Sequence, residues 1–166
     1  MISPEVLRRY PFFAGLSHDQ LTTLAMIADE MGFESGHSFF KEEDKLNAFY
    51  LVTEGTVAIV IEVTAGDVPQ PLSQQLTGQV QTSDVVISYV GPGEPFGWTA
   101  ITPEQISTAG ARATTTGKTI VFDRRELLQV FEEDPGFGYL MLQQILQVAR
   151  QRIHDLRVES LAQPMG

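Results

Sequence analysis

Cysteine is absent from the 166 residues, so disulfides, thiolate nucleophiles and thiolate metal sites are excluded together. Basic residues are scarce: 11 Lys and Arg face 21 Asp and Glu, for a formal net charge of −10. A nucleic-acid footprint needs clustered cations that displace counterions from phosphate. Here only Arg8-Arg9, Arg124-Arg125 and Arg150 with Arg152 come close together, and a solvated helix face accounts for them. No apolar run approaches the roughly 20 residues that a membrane span requires, and no basic start followed by an apolar stretch marks a secretory signal. The expected setting is cytoplasmic, with neither membrane nor nucleic acid as a direct partner.

Catalytic signatures are missing as well. His18, His37 and His154 lie in unlike settings, with no His-x-His pair that could hold a metal. Ser38, Ser88 and Ser107 stand in no Gly-x-Ser-x-Gly elbow, and neither a phosphate loop nor a dinucleotide fingerprint occurs. The pairs Glu42-Glu43 and Glu132-Glu133 sit in turn-like or helix-end surroundings, where solvation explains them better than acid and base roles. The chain is not expected to be an enzyme or to hold a metal.

What is present, 43% hydrophobic and 19% charged residues, suits one folded domain over 1–166 with a single core. Ser3 before Pro4 predicts a short helix that Pro11 stops, and Ser17 with Gln20 makes a capping box for a second helix running to Gly32. Residues 1–32 are therefore expected to be helical. Residues 33–122 carry short β-rich runs: Phe39-Phe40, Phe49 to Val52, Val57 to Val63, Asp84 to Val90, Ala111 to Thr116 and Thr119 to Phe122. The polar stretch 64–83 reads as a long connection, either a solvated loop or a flap, with a polar β-extension at its middle as a further option. Residues 123–166 return to helix. Asp123 with Glu126 caps one, and Asp134-Pro135 starts a last one whose apolar stripe runs from Phe137 to Leu156. Strands gathered in one block predict a mainly β fold, an antiparallel roll or sandwich with helices at its ends.

The stretch Gly91-Pro92-Gly93-Glu94-Pro95-Phe96-Gly97-Trp98-Thr99-Ala100-Ile101 divides the strands, because its three glycines and two prolines cannot extend either neighbour. Thr99-Ala100-Ile101 can form one helical turn, and the amides of Gly97, Trp98 and Thr99 would then make an anion cradle.

These residues resemble the cyclic nucleotide-binding domain in the form found in Crp/Fnr-type bacterial sensors. Similar are Pro11-Phe12-Phe13-Ala14-Gly15-Leu16-Ser17, Phe49-Tyr50-Leu51-Val52 before Glu54-Gly55-Thr56-Val57, the Gly93-x-x-Phe96-Gly97 turn, and Phe131-Glu132-Glu133-Asp134-Pro135. The resemblance implies a jelly-roll-like antiparallel β-roll, a phosphate-binding cassette at the Phe-Gly turn, and a long C-terminal helix that pairs with its copy in a homodimer. In that family the cassette reads Phe-Gly-Glu, with an arginine nine or ten residues later; the glutamate takes the ribose hydroxyl and the arginine the cyclic phosphate. Here Trp98 stands at the glutamate position. Arg112-Ala113, placed ten residues before Asp123, matches a second arginine that is not a ligand in the family, so the phosphate position falls at Ser107, with Thr108 beside it. Loss of two charged partners would weaken binding by a factor on the order of 10² to 10⁴. Trp98 is then either a stacking surface for a planar ligand or a plug of the cavity.

The expected role is a stand-alone regulatory, ligand-sensing module whose ligand is a nucleotide or other small anion, not ordinary cyclic AMP. Its site would comprise Phe96, Gly97, Trp98, Thr99, Ala100, Ser107, Thr108 and Arg112. Three alternatives stand beside it: an interaction module with a degenerate pocket and an unknown protein partner, a cyclic AMP or cyclic GMP regulator that uses Arg112, and a cupin-type enzyme. The family's transcription regulators continue past the long helix into a helix-turn-helix domain. This chain ends at Gly166, so direct DNA binding is not expected.

Overall fold

A computed structural model describes residues 1–64 and 82–162. Most of the 64–83 connection, and with it the flap and the β-extension, lies outside the described residues. Helix α1 (Pro4–Arg8) starts where Ser3 accepts the amide of Glu5, and α2 (His18–Met26) starts at the capping box expected for Ser17 and Gln20, with both reciprocal bonds made. A 3-10 turn at Pro11–Phe13 joins them.

The second helix is shorter than its sequence suggested. It ends at Met26, and Ala28–Phe33 forms strand β1, which pairs residue for residue with the strand 117–122. Ala28 and Phe33 are buried while Asp29 and Glu30 are exposed. Pairing with a distant strand has overridden the local helical spacing, so the helical region ends before residue 32.

Seven more strands follow: β2 (Ser38–Phe40), β3 (Ala48–Glu54), β4 (Val57–Thr64), β5 (Thr82–Val90), β6 (Pro95–Phe96), β7 (Gly110–Ala113) and β8 (Gly117–Asp123). They form two four-stranded antiparallel sheets, ordered β1-β8-β3-β6 and β2-β7-β4-β5. The fold is thus the expected antiparallel β-roll with flanking helices. Helix α3 (Arg124–Glu133) begins where Asp123 accepts the amides of Arg125 and Glu126 at 2.8 and 3.2 Å, and α4 (Pro135–Ala162) follows.

The single core expected from composition is divided by the first sheet. Along β3, Phe49 and Leu51 face the helices and join Leu7, Leu24, Phe122, Leu127, Phe137 and Met141. Val52, with Tyr50 beside it, faces the roll interior and joins Phe33, Val57, Val90, Phe96, Ala111 and Ala113. Strict alternation on a strand covered on both faces produces this division.

The predicted apolar stripe of α4 also divides. Phe137, Met141 and Ile145 are buried with Val148 packed beside them, while Tyr139, Leu142, Leu146, Ile153 and Leu156 are exposed, Leu146 at 69%. Arg152 is the last residue of α4 not fully exposed; every position from Ile153 to Ala162 faces solvent.

Candidate functional site

The cassette turn is held to β3 from its first residue. The amide of Gly93 donates to the carbonyl of Val52 at 2.8 Å, and the amide of Val52 to the carbonyl of Glu94 at 3.0 Å. The chain then makes a two-residue strand rather than a plain turn, with Pro95 opposite Leu51 and Phe96 opposite Tyr50. Because β6 is an edge strand, the missing amide of Pro95 leaves no ladder position empty. Phe96 is fully buried and stacks on Tyr50 with ring centroids 4.7 Å apart and 8° between planes. Burial raises the Tyr50 phenol above its ordinary pKa.

Gly97 takes the left-handed conformation (φ 76°, ψ 24°) and opens the expected helical turn, a 3-10 turn at Trp98–Ile101 closed by the Ala100 amide on the Gly97 carbonyl. Two arginines fix this turn. The Nε of Arg124 donates to the carbonyl of the buried Ala100 at 2.6 Å. From α4, Arg152 lays its guanidinium on the Trp98 ring, 4.6 Å from the centroid, and its Nη2 donates to the Pro95 carbonyl at 2.6 Å. Burial lowers the pKa of Arg152, with the charge of Glu94 acting in the opposite direction. Among the described residues, the Nε of Arg152 is buried without a partner.

Both arginines depart from the solvated helix face expected of them. Arg152 was legible in principle: it continues the inward series Phe137, Met141, Ile145, Val148 at helical spacing. Nothing in the local sequence marks Arg124, whose partner is a carbonyl 24 residues away.

Residues 105–107 are fixed by the segment before β3. The amide of Ser107 donates to the Asp44 carbonyl at 2.9 Å, that of Glu43 to the Ser107 carbonyl at 2.8 Å, and that of Leu46 to the Gln105 carbonyl at 2.8 Å. Ser107 is 5% exposed, and its hydroxyl donates to the carbonyl of Ala109 two residues on. Thr108 is exposed. Arg112 alternates with Ala111 and Ala113, which are buried in the roll interior, and therefore faces the other side of its sheet. There it pairs with Asp84 at 3.1 Å, in a cavity of about 310 Å³ lined also by Ser38, Lys41, Glu42 and Glu62. The structure thus gathers Phe96 to Ala100 in one turn and sets Arg112 apart from it.

A two-sheet antiparallel roll with a glycine-led turn between its strands and a long helix laid against that turn is the architecture of a regulatory domain of the cyclic nucleotide-binding type. The chain belongs to the cyclic nucleotide-binding domain family, whose family model matches residues 30–134. Among solved structures it is similar to a candidate cyclic nucleotide-binding protein from Geobacter metallireducens GS-15, with a TM-score of 0.74 and 28% identity over 93% of this chain and 100% of that one. The fold is shared with a cyclic nucleotide-binding domain from Methylobacillus flagellatus KT, at a TM-score of 0.72 and 18% identity over 98% and 82% of the two chains. It is shared too with the catabolite activator protein of Thermus thermophilus, at 0.64 and 22% over 92% and 63%. Among curated relatives, a cGMP-dependent protein kinase of Caenorhabditis elegans, egl-4, is 23% identical over 72% of this chain; the match spans 14% of the kinase. Among the described residues, no helix is long and apolar enough to cross a membrane.

Proposed function

We propose that this chain is a regulatory module of the cyclic nucleotide-binding family whose cassette takes a small anionic ligand, a nucleotide or another, in place of ordinary cyclic AMP. The observation that carries this reading is the state of the two positions where the family places its charges. Trp98 has its ring face covered by the chain's own Arg152, and the Ser107 hydroxyl is turned onto its own backbone. Neither position offers a charged group to ribose or phosphate, while left-handed Gly97 leading into a 3-10 turn supports a backbone cradle there. The role we infer is regulatory rather than catalytic, and a cytoplasmic setting suits it.

Calorimetric titration with cyclic AMP, cyclic GMP and cyclic dinucleotides tests this. Cyclic AMP is expected to bind no tighter than the micromolar range, and submicromolar binding of it would sink the reading.

Output through α4 is part of the same proposal. Tyr139, Leu142, Leu146, Ala149, Ile153 and Leu156 follow the alternating three- and four-residue spacing of a coiled-coil seam. Most of this stripe is exposed, which favours a homodimer through α4. A partner protein on the same stripe is the reading that survives if the chain is a monomer in solution.

A further inference from the structure

The cassette turn and the long helix are joined by one polar contact, and its position is what matters. Arg152 is the last part-buried residue of α4, and the ten residues from Ile153 to Ala162 are all exposed. Its guanidinium is bracketed by the Trp98 ring at 4.6 Å and the Pro95 carbonyl at 2.6 Å, so both ends of the cassette turn's first segment hold the same side chain. A cation on the face of tryptophan, shielded from water, is among the stronger forms of that interaction. Among the described residues, the Nε of the same guanidinium is buried with no hydrogen-bond partner.

We propose that Trp98 and Arg152 form a latch that ties α4 to the cassette turn at Arg152. The latch sets the direction in which α4 presents Ile153 and Leu156, and any change of the turn that tilts the Trp98 ring releases the helix from Arg152 onward. This requires no particular ligand and stands apart from the reading of the cassette's specificity. A planar molecule that stacked on the Trp98 face held by Arg152 would have to displace that side chain, which makes the contact a built-in competitor as well as a latch.

Amide hydrogen exchange on the full chain without ligand tests the proposal, comparing Trp98→Leu, Arg152→Met and the double variant at one protein concentration. Each single variant is expected to speed exchange in the Val148 to Leu156 region by roughly two- to thirtyfold, with the double variant no faster than the faster single one. Peptides from β3 and β8 serve as the reference and are expected to keep wild-type protection. Trp98→Tyr, which retains an aromatic face, is expected to stay close to wild type and keeps the test open should Trp98→Leu fold poorly. Wild-type exchange in both single variants, additive effects in the double variant, or equal acceleration in β3 and β8 would overturn the latch.

Discussion

Gly97 offers a direct measure of how tightly the cassette turn is built, because Gly36 supplies its control. Both have left-handed backbone, with φ of 76° at Gly97 and 89° at Gly36. A side chain on Gly36 would meet nothing within 4 Å, whereas one on Gly97 would lie 3.1 Å from Cδ2 of Tyr50 and 3.3 Å from the Ala48 carbonyl. Neither neighbour is free to give way. The Tyr50 ring is stacked on Phe96 and edged by Phe39 at 5.4 Å, and Ala48 belongs to the ladder with β8. In Gly36→Ala, a left-handed penalty of about 1–2 kcal/mol is offset by about 0.4–1 kcal/mol from a stiffer unfolded chain, a net loss near 1 kcal/mol. Gly97→Ala adds crowding of about 1–3 kcal/mol, for a total of roughly 2–4 kcal/mol. At about 2–4 °C per kcal/mol for a chain of this size, Tm should fall by roughly 2–4 °C in Gly36→Ala and roughly 4–16 °C in Gly97→Ala. Thermal unfolding followed by circular dichroism, with the near-ultraviolet tyrosine signal as a local reporter, reads both. Equal losses in the two variants would refute the reasoning, since they would mean that the aromatic stack under the cassette yields without cost.

Two further predictions concern the stack and the long helix. The folded-state pKa of Tyr50 lies above its unfolded value of 10.0, so its contribution to stability is complete below pH 10 and is lost as pH rises through the folded pKa. Ultraviolet titration should show a late-ionising tyrosine that disappears in Tyr50→Phe, and that variant should lose less stability than wild type at alkaline pH. For the helix, light scattering at micromolar concentration should give the mass of two chains for wild type and of one for Leu146→Glu. A single-chain mass for the wild type would remove the dimer.

Local signals sufficed wherever a structure is set by its neighbours in sequence. Ser17 with Gln20, Asp123 and Asp134-Pro135 start helices because caps act over three or four residues, and the six β-rich runs became strands because β-branched and aromatic residues concentrate in them. What failed to show was set from a distance. Strand β1 exists because residues 117–122 lie beside it, and β6 because β3 does. The same division holds in the candidate site. Phe96, Gly97 and the short turn after them could be read from composition, yet the groups that grip the turn, Arg124 and Arg152, come from helices that follow β8 in the chain. Their charges resembled the ordinary solvated arginines of a helix face, and only the position of Arg152 in the inward series of α4 distinguishes it.

Ser107 offers a direct test of whether its position faces an anion. The position is 5% exposed and its hydroxyl is satisfied within the chain, so it holds no buried charge that needs a partner. An arginine at the same position would bury a cation, and a buried charge left without its partner costs about 3–5 kcal/mol. Ser107→Arg should therefore lower Tm by roughly 6–20 °C at the size-dependent rate used above. If the position faces a phosphate-binding site, cyclic AMP should restore part of that loss in the variant while leaving the wild type unmoved, because only the variant has a charge for the ligand to pair. Thermal shift with and without millimolar cyclic AMP measures both effects. A variant as stable as wild type would show that the new side chain escapes to solvent, and a destabilised variant indifferent to cyclic AMP would show that Ser107 does not face the ligand; either result would break the link between this position and the anion.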